Sequence, residues 1–142
     1  MTKELREKVG EKYNGLCAYS GTPLEDDWQV EHIKPLRRNW YNGGKPLFPK
    51  NDNIDNMVPV QKLINHYKHE LDLEDFREWY LGRLHIRLSK LPKNPRTEKS
   101  HRHKAYMLKV ASYFGITKDN PFSGIFYFEQ FTGHEIYNGD II

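Results

Sequence analysis

A carboxylate and an imidazole stand side by side at Glu31 and His32. Histidine exchanges a proton near neutral pH and can act on water as a general base. A carboxylate oxygen suits a hard divalent cation such as Mg²⁺. Residues 28–33 alternate Trp28 and Val30 with Gln29 and Glu31, the pattern of a strand, and on a strand the two neighbours point to opposite faces. By itself the pair also fits the edge of an ordinary surface strand. A second polar set follows. Asn56 precedes Val58-Pro59-Val60, and Asn65, Lys68 and His69 recur at i, i+3 and i+4 within a helix expected over 61–70. That spacing predicts an amide oxygen, an ammonium and an imidazole on one helix face, able to hold a metal ion and a phosphate together. A polar helix surface with turn asparagines gives the same pattern.

The elements that must position these residues are marked by periodicity and punctuation. A first helix is expected over 2–13, with Thr2 as its N-cap and Leu5 and Val9 on one face. Asn14-Gly15 ends it, because both residues tolerate the left-handed conformation. Ser20-Gly21-Thr22-Pro23 reads as a turn and 39–53 as a loop rich in Asn, Gly, Lys and Pro. Val58-Pro59-Val60 reads as a short edge strand, since Pro59 has no N–H to give a ladder. Asp72 is a candidate N-cap for a second long helix whose apolar face is Leu73, Phe76, Tyr80, Leu84 and Leu88. A loop at 92–99, a helix over 100–114 stopped by Gly115 and a buried strand at Gly124-Ile125-Phe126-Tyr127-Phe128 complete the chain. No repeat and no clean linker interrupts it.

The 142 residues suit one domain, long enough to bury about 70% of the surface the unfolded chain exposes. Charged residues make up 29%, but 13% are aromatic, too many for a disordered chain. Cys17 is the only cysteine, which rules out an intramolecular disulfide and a multi-cysteine zinc site. Residues 1–13 are charged throughout and contain no apolar leader-like run. No segment approaches the ~18 apolar residues of a membrane span. The expectation is a soluble protein of a reducing cytoplasm with no membrane partner. The net charge of +3 is unevenly spread. Segment 83–104 carries Arg83, Arg87, Lys90, Lys93, Arg96, Lys99, Arg102 and Lys104 against Glu98 alone, which is +7 and leaves −4 for the remainder. Such a stripe suits a phosphate-rich partner, or the solvated surface of a helix–loop–helix. In the loop 36–50, Arg37, Arg38, Lys45 and Lys50 stand among Trp40, Tyr41 and Phe48. That mixture suits phosphate contact with base or sugar stacking, or a surface loop with its aromatics tucked inward.

In order along the chain, Gly15-Leu-Cys-Ala-Tyr-Ser-Gly21, Val30-Glu-His-Ile-Lys-Pro35, Asp55-Asn-Met-Val-Pro59 and Asn65-His-Tyr-Lys68 resemble the HNH endonuclease family. The resemblance covers roughly residues 5–70, about half the chain. It implies an α+β fold: a ββα-metal (HNH) core over 1–70, including an N-terminal helix, and a mainly helical C-terminal extension over 71–142 that ends in a strand and packs on the core as one compact domain. It implies His32 as general base and Asn56 as the residue that braces the loop and orients that histidine. It assigns Glu31, more often aspartate in the family, and Asn65 as ligands of one divalent metal ion, Mg²⁺ in the first place, with Mn²⁺ or another divalent ion as substitutes. Lys68 takes the place of a lysine near the phosphate backbone. His69 stands where toxin-type members such as the colicins place a further histidine ligand. Many members carry CxxC pairs that bind a structural zinc. Here those positions are Cys17 and Ser20, then Gln61 and Ile64, which do not make a thiolate site, so no structural zinc is expected.

The implied activity is metal-assisted hydrolysis of DNA phosphodiester bonds. Double-stranded DNA is the expected partner, contacted by Lys68, Arg37, Arg38, Lys45, Arg96, Lys99 and Arg102. One such site cuts one strand at a time, so cutting both calls for a homodimer or two events. A non-catalytic nucleic-acid-binding module on the same scaffold is the alternative. A third reading makes the aromatic C-terminus, with Phe122, Phe126, Tyr127, Phe128 and Phe131, a surface for a protein partner.

Overall fold

The computed structural model describes residues 1–36, 38, 39, 43 and 45–131, with Arg38, Asn39 and Phe131 described as backbone only. Thr2 Oγ1 accepts the Leu5 N–H at 3.1 Å ahead of α1 (Lys3–Glu11), satisfying one of the donors that every helix start leaves open. Asn14 and Gly15 follow with φ of +56° and +81°, which ends the helix. The chain turns through Cys17–Leu24 into β1 (Gln29–His32). Next come two short paired strands, β2 (Arg38–Asn39) and β3 (Lys45–Pro46), and the 3₁₀ turns Pro49–Asn51 and Ile54–Asn56. β4 (Met57–Val60) then returns antiparallel to β1, pairing Gln29 with Val60, Glu31 with Val58 and His32 with Met57. α2 (Lys62–Lys68) follows.

All four residues of β4 are buried. Pro59 is tolerated there because the ladder calls for no N–H at that position, while its carbonyl accepts the Ala18 N–H at 2.8 Å, so the 17–22 turn covers that side of the strand. Gly21 in this turn has φ +74°, and a Cβ on it would lie 2.7 Å from the Tyr127 ring, so any other residue would be strained twice. Gln61, completely buried, joins the turn to the start of α2. Its Nε2 donates to Thr22 Oγ1 (3.0 Å) and to the Pro23 carbonyl (2.7 Å), and its Oε1 accepts the Glu25 N–H (3.1 Å). Three hydrogen bonds therefore occupy this corner. Cys17 is a free, fully buried thiol.

The described chain divides into two units, one made of residues 1–73 with 126–131 and the other of Glu74–Ile125. In the first, Val9, Tyr13, Ala18, Tyr19, Val58, Val60, Ile64, Phe126 and Phe128 are buried. The apolar run 124–128 is not the expected strand: Tyr127–Phe131 is a 3₁₀ helix. Its register is set by Tyr127 N–H and Phe128 N–H donating to the Tyr19 and Ala18 carbonyls, with the Phe126 and Phe128 rings 5.2 and 6.0 Å from Tyr19. Only Phe126 and Phe128 of this run are buried, Ile125 being exposed, and the backbone bonds to 18–19 replaced a ladder.

The second unit is helical. The expected continuous helix from Asp72 is broken: a single turn, α3 (Leu73–Asp75), runs into a π-helical stretch, Phe76–Leu81, and then stops. Gly82 N–H bonds the Arg77 carbonyl at 2.8 Å, five residues back, and Arg87 caps the carbonyls of Trp79 and Tyr80 at 2.7 and 2.8 Å. The apolar face continues on α4 (Leu84–Ser89), which packs with α5 (Glu98–Tyr113). Thr97 caps α5 through its Oγ1, and Gly115 at φ +68° follows its end. The chain is α+β. Among the described residues no helix is long and apolar enough to cross a membrane.

Candidate functional site

Alternation along β1 sends Gln29 and Glu31 to the face covered by α2. Two polar rungs connect them. Asn65 Nδ2 donates to Gln29 Oε1 at 2.7 Å, and Lys68 Nζ sits 2.9 Å from Glu31 Oε2. Lys68 is completely buried and Glu31 nearly so. The ammonium and Oε2 are in ionic contact without the directionality of a hydrogen bond, whereas Glu31 Oε1 accepts the His32 N–H at 2.9 Å. Burial pushes the Glu31 carboxyl up from its ordinary value, while Lys68 and the His32 N–H pull it back. Burial and then the nearby Glu31 charge hold the Tyr19 phenol well above its usual range, so it remains a neutral hydroxyl.

His32, the next residue on the strand, points the other way. Its Nε2 lies 3.0 Å from Asp52 Oδ1. Facing an ionised carboxylate, which only accepts hydrogen bonds, a neutral imidazole donates from Nε2 and keeps its lone pair on Nδ1. Asp52 comes from the segment between the two 3₁₀ turns, and Asn56 holds that segment in place. Asn56 Oδ1 accepts the Lys34 N–H (2.9 Å), and Nδ2 donates to the carbonyls of Lys34 (2.9 Å) and Asn51 (2.7 Å). Its own carbonyl accepts the Ile33 N–H at 3.0 Å. One amide therefore ties the chain just after His32 to the chain just before Asp52. Behind it, the Lys12 ammonium donates to the carbonyls of Ile54 and Met57, which flank Asn56. Burial lowers the Lys12 pKa, opposed by Asp55. An open depression lies alongside, lined by Ile33, Lys34, Lys50, Asn51, Asn53, Asp55 and Asn56.

Glu31, His32, Asn56 and Asn65 thus stand on adjoining elements, with the acid and the histidine on opposite faces of β1. Two assignments change. Lys68 is not exposed toward a phosphate: it faces β1 and neutralises Glu31. His69 does not extend the helix face of Asn65. It leaves α2 with φ +54°, is exposed, and its ring lies 5.4 Å from that of His66. Arg37, Trp40 and Tyr41 lie outside the described residues, and Arg38 is placed only as strand backbone. Lys45, Lys50 and Phe48 are exposed.

In the helical unit Arg96 and Lys99 are exposed, and Arg102 is exposed in an ion pair with Glu98 at 2.9 Å. The basic stripe is thinner than its composition, because Arg87 and Lys104 are tied to backbone carbonyls of their own unit. Three residues of the site carry no signal in the sequence. Asp52 sits among asparagines of a loop, Gln29 is an unremarked strand position, and Lys12 looks like one more charge on a polar helix.

Among the described residues no group of three or more His, Cys, Asp or Glu side chains could hold a metal ion. A divalent ion at Glu31 would therefore rest on this one carboxylate and the Asn65 amide oxygen, since Gln29 Oε1 already accepts from Asn65 Nδ2. An all-oxygen donor set suits a hard cation and not a soft one, so the residues present fit Mg²⁺ or Mn²⁺ in kind. No protein-family model matches the chain, and a search among curated proteins finds no match.

Proposed function

We propose that this chain is a metal-dependent endonuclease of HNH type that hydrolyses DNA phosphodiester bonds, with β1, β4 and α2 as its ββα-metal core. The observation that carries the reading is the Asn56 clamp, which joins the chain beside His32 to the chain beside Asp52. The clamp supports the reading because it fixes the segment carrying Asp52 against the strand end carrying His32, and a histidine aimed by a carboxylate is the arrangement of a general base. His32 Nδ1 takes a proton from water, and the resulting hydroxide attacks phosphorus in line as the bond to the leaving 3′ oxygen breaks. Asp52 holds the ring and balances the positive charge it gains. Bound at Glu31 and Asn65, a divalent ion supplies charge stabilisation to the phosphate oxygens. Lys45, Lys50 and the exposed Phe48 offer backbone and stacking contacts beside the site, and Arg96, Lys99 and Arg102 offer them on the helical unit.

The buried Lys68 favours a second reading, since it already neutralises the one acid of the metal site: a nucleic-acid-binding module that has kept the scaffold without the chemistry. Plasmid nicking with Mg²⁺ and with EDTA, beside DNA binding by the same preparation, separates the two. The nuclease nicks only with Mg²⁺. Its His32→Ala variant loses roughly 10²–10⁴ in rate and still binds DNA. Binding without nicking by the unaltered chain supports the module.

A further inference from the structure

Lys68 is the one fully buried charge in the described chain that the chemistry above leaves without a task. An ammonium has three hydrogens to place, and this one has a single ionic contact, the Glu31 carboxylate. Burying such a pair carries a desolvation cost that a well-packed apolar side chain avoids. The flanking helix positions Ile64 and Tyr67 are buried as well, so a methionine at 68 would suit its surroundings. Meanwhile Glu31 is the carboxylate that β1 offers to the proposed metal site, and the oxygen not engaged by the His32 N–H is the one Lys68 touches. Two cations have a claim on one oxygen.

We propose that the Lys68 ammonium is a resident competitor for Glu31, so that a divalent ion takes the carboxylate only as Lys68 gives it up. The inference rests on the reading of Glu31 as a metal ligand. Without the ion, Lys68 occupies Glu31 Oε2 and joins α2 to β1. In its presence the lysine sets the concentration at which the site loads.

The test is calorimetric titration of the full chain with Mn²⁺, using Lys68→Met, Lys68→Gln, Glu31→Gln and, as a control for net charge, Lys62→Met, an exposed lysine on the same helix. A lost charge-assisted contact of this kind predicts that both neutral variants at 68 bind Mn²⁺ roughly ten- to a hundredfold more tightly. Lys62→Met should match the unaltered chain, and Glu31→Gln should bind nothing at this site. If Lys68→Met is too unstable without metal, Lys68→Gln supplies the same comparison, and Mn²⁺ should raise its unfolding temperature more than that of the unaltered chain. Equal or weaker Mn²⁺ binding by the variants at 68, with binding still lost in Glu31→Gln, overturns the competition and leaves Glu31 as ligand. Mn²⁺ binding that survives Glu31→Gln, or is absent from every protein, overturns both.

Discussion

Replacing Asn56 offers the sharpest trial of how the site is built. Its amide makes three hydrogen bonds, two to Lys34 and one to the Asn51 carbonyl, of which only the last is partly buried. At about 0.5–1.5 kcal/mol each, and nearer the lower value for the two exposed ones, Asn56→Ala should cost about 2–3 kcal/mol of stability. Asn56→Asp has nearly the same shape and keeps the acceptor for the Lys34 N–H. It places an oxygen where Nδ2 stood, however, facing two carbonyl oxygens at hydrogen-bond distance, so the segment carrying Asp52 is pushed away. A displacement of about 1 Å at the base is enough to cost on the order of 10²-fold in rate. Urea unfolding gives the first quantity, and single-turnover plasmid nicking at saturating enzyme gives the second. Both variants should still bind DNA, since Asn56 faces backbone and not ligand. Asn56→Asp nicking at the unaltered rate would refute the clamp as the device that positions His32.

Asp52→Asn keeps an oxygen acceptor for His32 Nε2 but removes its charge; the difference between charged and neutral hydrogen bonds predicts a rate about tenfold lower, and an unchanged nicking rate dismisses Asp52 as the orienting group. Changing Arg96, Lys99 and Arg102 together to Gln should lower the slope of log affinity against log salt by about two to three units, nearer two if Arg102 stays with Glu98; fluorescence anisotropy across a salt series reads it, and an unchanged slope with a lower unfolding temperature assigns the stripe to internal pairing. Lys12 predicts a pH dependence. Its folded pKa lies below the ordinary 10.5, so the unfolded chain binds more protons between the two values and folding stability contributed by this group rises with pH across that window. The unfolding free energy of the unaltered chain relative to Lys12→Met should therefore climb toward pH 10.5, and a flat difference means the ammonium is solvated.

Local signals carried over well into structure because their causes are local. Thr2 and Thr97 cap helices through bonds spanning three residues, and Asn14, Gly15 and Gly115 end them through φ alone. The role expected of Asn56 came from a motif resemblance and not from any local pattern; periodicity and punctuation alone mark it only as a polar residue ahead of a short strand. What periodicity could not reveal is which way a polar helix face turns. Residues 65, 68 and 69 lie close on a helical wheel, but the partner strand decided that Lys68 turns inward, and the left-handed exit at His69 removed the third member. His32 and Asp52 are twenty residues apart, beyond any pattern of period two or 3.6. The run 124–128 announced two buried rings, Phe126 and Phe128, and neither the conformation nor the exposure of Ile125, since a 3₁₀ turn with two outside carbonyls hides aromatic rings as well as a ladder does. Gly82 sat in an otherwise regular apolar face, and only the five-residue bond behind it marks where the helix widens and stops.

The corner closed by Gln61 differs in kind from one closed by zinc. A zinc knuckle is an equilibrium with the surroundings. It fills above a threshold of free ion, releases protons as it fills, and lasts while its thiolates stay reduced. An amide bonded to Thr22, Pro23 and Glu25 is part of the chain at fixed stoichiometry and answers to none of those variables. The corner therefore forms with the fold itself and is indifferent to chelator, acidity and oxidant alike. In a cell starved of transition metal, β4 and α2 would still be held to the turn before β1.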